Sequence, residues 1–257
     1  MTLPTPRAAS SATAAHEGGA ADLHGQPLVS VIVPAYNEAA TLEDVVRRVA
    51  ALSLNTEIIV VDDGSSDSSQ ALLERLVESG APGLRHVRHE TNQGKSAAVR
   101  TGIGESRGDI VLIQDADLEY DPQDIPALLA PILEGHADVV YGTRLRGGQP
   151  QRAHLFWHYV GNRFLTLLTN VLYNTTISDM EVGYKAFKGD LIRSLPLVSE
   201  NFGFEPEVTA KILRRGDVRL YEIPVSYYGR TYAEGKKITW RDGFTAVALL
   251  LRFRFSR

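Results

Sequence analysis

Cysteine is absent from this chain. That removes disulfides, thiolate metal sites and cysteine nucleophiles together, and leaves the redox compartment unassigned. Long apolar runs are missing too. The longest candidates, around Leu165–Leu172 and Phe244–Leu251, fall well short of the roughly 20 residues that cross a bilayer. Charge of one sign is not in excess: the net charge is −4, which gives no global reason to expect nucleic acid. The seven histidines are scattered without metal-ligand spacing. Residues 1 to 26 are rich in Ala, Ser, Gly, Thr and Pro. They lack the continuous apolar core of a secretory signal and are expected to form a disordered tail. The expected location is therefore cytoplasmic, either free or peripheral on the cytoplasmic face of a membrane.

What is present is ordinary for a globular protein, with 44% hydrophobic and 23% charged residues over 257 positions. One stretch organises the rest. Ile110–Ile113 reads as a short buried strand, and it runs into Asp115 and Asp117, one residue apart. If the chain stays extended, alternation points both carboxylates to one side. Two carboxylates repel, and burying them unpaired is costly. A hard divalent cation, Mg²⁺ or Mn²⁺, would relieve that cost and in turn hold a diphosphate. The competing explanation is a turn whose Asp residues are merely solvated.

Upstream, Val29–Pro34 reads as a first buried strand with Pro34 at its end, where a missing N–H does least harm. Thr41 is placed to cap the next helix, with Asp44 three residues on. Leu42, Val45, Val46, Val49 and Leu52 share a face of that helix. Glu57–Val61 is a second strand ending in Asp62 and Asp63. Gly64–Asp67 turns into a helix faced by Leu72, Leu73, Leu76 and Val77, and a weaker strand follows at Leu84–Arg88. A helix from about Ser96 to Ser106 precedes Ile110. This alternation predicts an α/β fold with a mostly parallel sheet covered on both faces. Ligands of such sheets bind beyond the carboxyl ends of the strands, which is where all these acids fall. Two nucleotide motifs fail: a P-loop ending at Gly94-Lys95-Ser96 would need Gly at position 89 and finds His89, and Gly102-Ile103-Gly104 has Arg107 where a third Gly belongs.

The set Val33-Pro34-Ala35-Tyr36-Asn37-Glu38, Val60-Val61-Asp62-Asp63-Gly64-Ser65-Ser66-Asp67, Asn92-Gln93-Gly94-Lys95 and Asp115-Ala116-Asp117 resembles the inverting glycosyltransferases of family 2, with their GT-A fold. Tyr141-Gly142-Thr143-Arg144, Asp179 to Phe187, Phe202-Gly203-Phe204-Glu205, Glu222-Ile223-Pro224-Val225 and Arg230 are similar to the dolichyl- and polyprenyl-phosphate sugar synthases. The resemblance implies that Pro34, Tyr36 and Glu38 line a nucleotide pocket. Asp62 or Asp63 would accept from the base or ribose, and Lys95 would hold the nucleotide or its phosphates. Asp115, Ala116 and Asp117 would form the metal and diphosphate segment, with Glu119 as a further ligand of Mg²⁺ or Mn²⁺. Arg144 and Arg230 would grip the acceptor phosphate or the diphosphate, and Asp179 would touch substrate.

The implied reaction moves a sugar from a nucleotide sugar, with GDP-mannose and UDP-glucose as leading candidates, to a polyprenyl phosphate. Such an acceptor is nucleophilic without a base, because its second pKa is about 6. Arg144, Arg163 and Arg230 then matter more than any His. A hydroxyl acceptor would instead require a carboxylate base, for which Asp179, Glu181, Glu205 and Glu207 are candidates. A non-catalytic nucleotide-sugar-binding protein is the alternative of another class. The expected layout is a tail over 1–26, a GT-A domain over 27–228 and a basic amphipathic extension over 229–257. Two apolar stripes, Val160/Phe164/Leu167/Leu168/Val171/Leu172 and Trp240/Phe244/Val247/Ala248/Leu251/Phe255, read either as core-facing or as resting on anionic lipid. Around the second lie Arg230, Lys236, Lys237, Arg241, Arg252, Arg254 and Arg257, opposed mainly by Glu234 and Asp242.

Overall fold

Apolar runs become the centre of the sheet. The computed structural model describes residues 25–153, 155–231 and 240–255, with 240 and 241 described by backbone alone. The expected tail up to residue 24, and the charges at Glu234, Lys236, Lys237 and Arg257, lie outside the described residues.

Strands β1 (Val29–Ala35), β2 (Thr56–Asp62), β3 (Leu84–Arg88) and β4 (Ile110–Ile113) alternate with helices α1 (Leu42–Ala50), α2 (Ser69–Glu78) and α3 (Lys95–Glu105). A 3₁₀ turn at Pro122–Asp124 leads into α4 (Ile125–Leu133). Then come β5 (Val139–Thr143), α5 (Phe156–Tyr173), β6 (Lys185–Lys188), α6 (Gly189–Ser194), α7 (Phe204–Arg215), β7 (Leu220–Pro224) and α8 (Trp240–Phe255). The seven strands form one sheet in the order β3-β2-β1-β4-β6-β5-β7. Every pairing is parallel except those of β6, which runs antiparallel to β4 and β5. β1, β2 and β4 are buried along nearly their whole length because helices cover both faces, as a parallel sheet requires. Pro34 falls beyond the last β1–β4 pair, Ile32↔Ile113. On α1, Leu42, Val45, Val46 and Val49 are buried, whereas Val77 at the end of α2 is exposed.

Thr41 departs from its expected role. It stands at the start of α1 but makes no side-chain cap. Its hydroxyl donates instead to the Ala116 carbonyl at 2.7 Å, tying α1 to the loop after β4.

A second apolar cluster joins α5, α7 and α8 through Leu165, Ile177, Met180, Ala210, Ala246, Leu250 and Phe253. This corrects the C-terminal stripe. The core side of α8 is Ala246, Leu250 and Phe253, while Phe244, Leu251 and Phe255 point to solvent. On α5 the expected stripe divides: Leu168 and Leu172 pack on the second cluster, and Phe164, Leu167 and Val171 are exposed, the last at 72%. Among the described residues no helix is long and apolar enough to cross a membrane.

Candidate active site

The carboxyl ends of β1, β2 and β4 open into a cleft of about 1370 Å³. Two neighbouring loops shape one side of it. Asn37 takes a left-handed conformation (φ 54°), which Asn tolerates better than most residues. Its side-chain oxygen accepts from the Ser66 amide at 2.8 Å, and its own amide donates to Ser65 Oγ at 2.9 Å. The loops after β1 and β2 are thereby fastened together. Asp63 lines the cleft and accepts from the amides of Gln93 (3.0 Å) and Gly94 (2.8 Å), with His89 Nδ1 at 2.7 Å. Gly94 has φ +90°, and a Cβ there would come within 2.7 Å of the Asn201 backbone; only glycine fits this point of approach.

Asp62 goes elsewhere. It is fully buried, accepts from the Ser65 amide at 3.0 Å and pairs with Arg88 at 2.6 Å. It does not line the cleft.

The Asp115–Glu119 segment meets the cleft by a turn. Alternation along an extended chain is not what brings Asp115 and Asp117 together, because the strand stops at Ile113 and the chain turns through 116 and 117. Leu118 then adopts φ 56°. A left-handed leucine costs of order 1–3 kcal/mol and survives where its surroundings impose it. Here the Glu119 amide donates to Asp117 Oδ1 at 3.1 Å. Behind the turn, Gly183 presses so close that a Cβ would collide with the Asp115 carboxylate.

Each acid of the pair has a cation. Lys95 Nζ lies 2.8 Å from Asp115 Oδ1 and 3.1 Å from Glu205 Oε1. Burial pulls the Lys95 pKa down, but the charges of Asp115 and Glu205 outweigh it and hold it well above the usual lysine value. Arg230 Nη2 lies 2.6 Å from Asp117 Oδ2, and Nη1 lies 3.2 Å from Glu38 Oε2. Burial, then the charges of Asp115 and Glu119, push Asp117 up to about 6 against the pull of Arg230. That crowding is what a divalent ion would relieve.

The expected three-carboxylate metal set is not assembled, however. Among the described residues no group of three or more His, Cys, Asp or Glu is arranged to hold a metal. Glu119 has other partners: its oxygens accept from Tyr227 OH and from the Arg230 amide, each at 2.7 Å. Asp115 and Asp117 remain as a two-carboxylate site. Such a site suits an ion that takes its other ligands from substrate phosphates and water.

Arg144, which also lines the cleft, is held in a bidentate pair. Its Nε and Nη2 reach Asp179 Oδ2 and Oδ1 at 2.7 and 2.8 Å, and Asn162 donates to the same Oδ1 at 2.7 Å. The guanidinium also lies 4.9 Å from the Tyr227 ring centre. Burial alone would raise the Asp179 pKa, but Arg144 and Asn162 bring it below the ordinary value. Asp179 is fully buried and does not line the cleft; it orients Arg144.

All the remaining expected site residues line the cleft: Pro34, Tyr36, Glu38, Asp63, Lys95, Asp115, Ala116, Asp117, Glu119, Arg144 and Arg230. Of the other candidate bases, Glu181 and Glu205 line it as well. Glu207 does not: it accepts from the amides of Val198 (2.8 Å) and Ser199 (2.7 Å). Arg163 is exposed and lies off the cleft. Sequence reasoning missed Asn162, Tyr227 and the 199–201 loop. Ser96 donates to Asn201 O through both its amide (2.8 Å) and its hydroxyl (2.7 Å). Only the neighbouring Phe202–Glu205 signature hinted at that loop.

Comparison with known proteins agrees with this geometry. The family described as "Glycosyl transferase family 2" matches residues 30–195. Curated relatives include the undecaprenyl-phosphate 4-deoxy-4-formamido-L-arabinose transferases of Pseudomonas aeruginosa and Pseudomonas paraeruginosa. Each is 32% identical over 214 residues, covering 81% of this chain and 60% of the relative. The chain thus spans about 60% of the length of these relatives. Among solved structures, glucosyl-3-phosphoglycerate synthase from Mycobacterium tuberculosis in complex with Mn²⁺, UDP and phosphoglyceric acid superposes with a TM-score of 0.69. It is 23% identical and covers 89% of this chain and 79% of that one. A complex of the same enzyme with Mn²⁺, UDP and glucosyl-3-phosphoglycerate gives 0.66, at 23% identity over 88% and 80%. At that identity the likeness establishes the GT-A fold.

Proposed function

The chain belongs to glycosyl transferase family 2, and from that premise we propose that it transfers a sugar from a nucleotide sugar to a polyprenyl phosphate, with a divalent metal and inversion at the anomeric carbon. The observation that carries this reading is Arg144. It is clamped by Asp179, which Asn162 in turn holds, and it lines the same cleft as the Asp115/Asp117 pair. The Asp115/Asp117 segment suits a diphosphate and Arg144 a second phosphate.

The nucleoside diphosphate would lie along Pro34–Glu38 and Asp63, with its phosphates toward Lys95, Asp115 and Asp117. Mg²⁺ or Mn²⁺ bound there would supply a Lewis acid for the developing charge on the leaving diphosphate. Arg230 and Lys95 add fixed positive charge beside the same acids, placed where charge would develop on the leaving diphosphate. Arg144 would hold the acceptor phosphate in line. An oxygen of that phosphate forms the bond to the anomeric carbon as the bond to the diphosphate oxygen breaks, and the nucleoside diphosphate departs with the electron pair. No proton has to be removed from a phosphate dianion, so Glu205 stays committed to Lys95.

The mouth of the cleft supports a lipid acceptor. Phe156, Trp157 and Tyr159 line it, and all three are exposed, Trp157 at 78%. The outward sides of α5 and α8 continue the apolar character with Phe164, Leu167, Val171, Phe244 and Phe255. Aromatic side chains suit a membrane interface, and that placement would bring the phosphate head of a membrane-held polyprenyl phosphate to Arg144. The name of the Pseudomonas relatives includes the same acceptor class. The test is label transfer from GDP-mannose, UDP-glucose or UDP-N-acetylglucosamine to a short polyprenyl phosphate with Mg²⁺ or Mn²⁺. Label in the organic phase, lost in Asp117→Ala, is the expected result. Donor binding without lipid labelling across all three donors would overturn the acceptor reading.

A further inference from the structure

Glu181 is a cleft residue that no step above employs. It lines the cleft in the segment leading into β6. Its Oε1 is shut off from solvent and meets no hydrogen-bond donor. The cations nearby are committed elsewhere. Lys185, fully buried, donates to the carbonyls of Met180 and Val182 and stands 4.6 Å from the Tyr141 ring centre. Arg144 is taken by Asp179. Burial and the charge of Glu205 raise the Glu181 carboxyl to about 7, as expected of an acid with no ion partner of its own. A buried acceptor without a donor is an unfavourable state that a ligand hydroxyl corrects.

The place matters as much as the chemistry. Two residues further on, Gly183 packs against the Asp115 carboxylate, which faces the diphosphate in the reading above. On the other side, Arg144 and Asp179 are close enough for their charges to act on Glu181. The group joined to the diphosphate and travelling toward Arg144 is the sugar.

We propose that Glu181 reads the donor sugar: its carboxyl accepts a hydrogen bond from one hydroxyl of the transferred glycosyl group, which makes it a specificity-determining residue for the sugar rather than for the nucleotide or the acceptor. This rests on the nucleotide-sugar reading above.

The experiment is calorimetric titration of the full chain with UDP, GDP, UDP-glucose and GDP-mannose in Mn²⁺. The donor that binds is then compared with its monodeoxy analogues. Glu181→Met keeps the length of the side chain and removes both accepting oxygens. It is expected to hold the Kd for the free nucleoside diphosphate within about twofold and to weaken the nucleotide sugar about tenfold, the equivalent of about 1.4 kcal/mol. One deoxy analogue should bind wild type more weakly than the parent sugar, yet bind wild type and variant alike. Glu181→Asp, which withdraws the carboxyl by one methylene, carries the same comparison if the Met variant does not fold. Equal losses for nucleotide and nucleotide sugar, or a loss confined to acceptor KM or to kcat, would overturn the proposal. A wild-type protein that binds no nucleotide sugar at all would overturn the reading beneath it, which separates the two failures.

Discussion

Arg230 holds Asp117 at 2.6 Å, so a guanidinium occupies the side of the acid pair that a divalent ion would share. Removing it should act in opposite directions on two measurements. Arg230→Met is expected to tighten Mn²⁺ binding in the absence of nucleotide, read by spin-label-free EPR titration. It should also lower kcat about 10²- to 10³-fold, the usual loss when one charge-stabilising donor is deleted. Chelation should abolish wild-type transfer, and Mn²⁺ or Mg²⁺ should restore it. If Arg230→Met leaves Mn²⁺ affinity unchanged, the guanidinium does not compete for the site.

Asp179 positions Arg144 and makes no cleft contact of its own. Asp179→Asn keeps the size of the side chain but loses the charge that orients the fork. We expect the acceptor KM to rise about tenfold or more, with donor Kd unchanged and a moderate loss of Tm. Arg144→Ala should be harsher on stability, by about 3–5 kcal/mol, because it leaves a buried carboxylate without its partner. A selective fall in donor affinity in Asp179→Asn would contradict this assignment.

Glu181 gives a stability signature over pH. Its carboxyl is raised from 4.5 to about 7 in the folded chain. Between those values the folded state binds more protons than the unfolded state, so stability falls as pH rises through that window. Glu181→Gln should flatten this part of the curve and raise Tm more at pH 7.5 than at pH 4.5. Denaturant titrations at both pH values decide the matter, and an equal change at both would count against a buried, neutral acid.

The outward faces of α5 and α8 should bind lipid. The triple change Phe164→Ser, Leu167→Ser, Val171→Ser removes exposed side chains and should leave Tm within a degree or two. Co-sedimentation with anionic vesicles should drop about tenfold or more, since each apolar side chain withdrawn from water contributes up to about 1.5–3 kcal/mol. Turnover on a short, water-soluble acceptor should be retained. Undiminished vesicle binding would assign these faces to something other than a membrane.

Gly94→Ala tests the loop beside the nucleotide. The added methyl meets the Asn201 backbone at a positive φ. The expected cost is about 1–3 kcal/mol of stability. Weaker nucleotide binding should accompany it, because the Gly94 amide is fixed by Asp63. Thermal melts with and without UDP or GDP measure both.

The half of the chain up to β4 could be read from sequence because parallel strands buried on both faces show as near-continuous apolar runs. Val29–Val33 and Ile58–Val61 are of that kind. β6 could not be read this way. It is Lys-Ala-Phe-Lys, and its first lysine is fully buried, against every expectation for that side chain. α8 failed for a different reason. From Phe244 to Leu251 it is apolar almost all the way round, so periodicity offers two faces, and Ala246, Leu250 and Phe253 take the core side. Within the site, acids at strand ends were legible by position. Which ones would be absorbed by neighbours was not: Asp62 by Arg88, and Glu119 by Tyr227, depend on side chains far apart in sequence.

The reversed direction of β6 sets how this protein can diversify. Because β6 runs against its neighbours, its beginning rather than its end meets the rim formed by the ends of β1, β2 and β4. The segment before it, with Asp179, Glu181 and Gly183, is therefore inserted between the donor wall and Arg144 without belonging to the parallel half. In the proposed reading, cleft-lining positions between residues 145 and 181, apart from those that hold Arg144, are where sugar and acceptor would be retuned while the loops that grip the nucleotide stay as they are. The fold thus separates inheritance of the donor grip from variation of its cargo, and a library confined to that interval is the natural place to seek altered products.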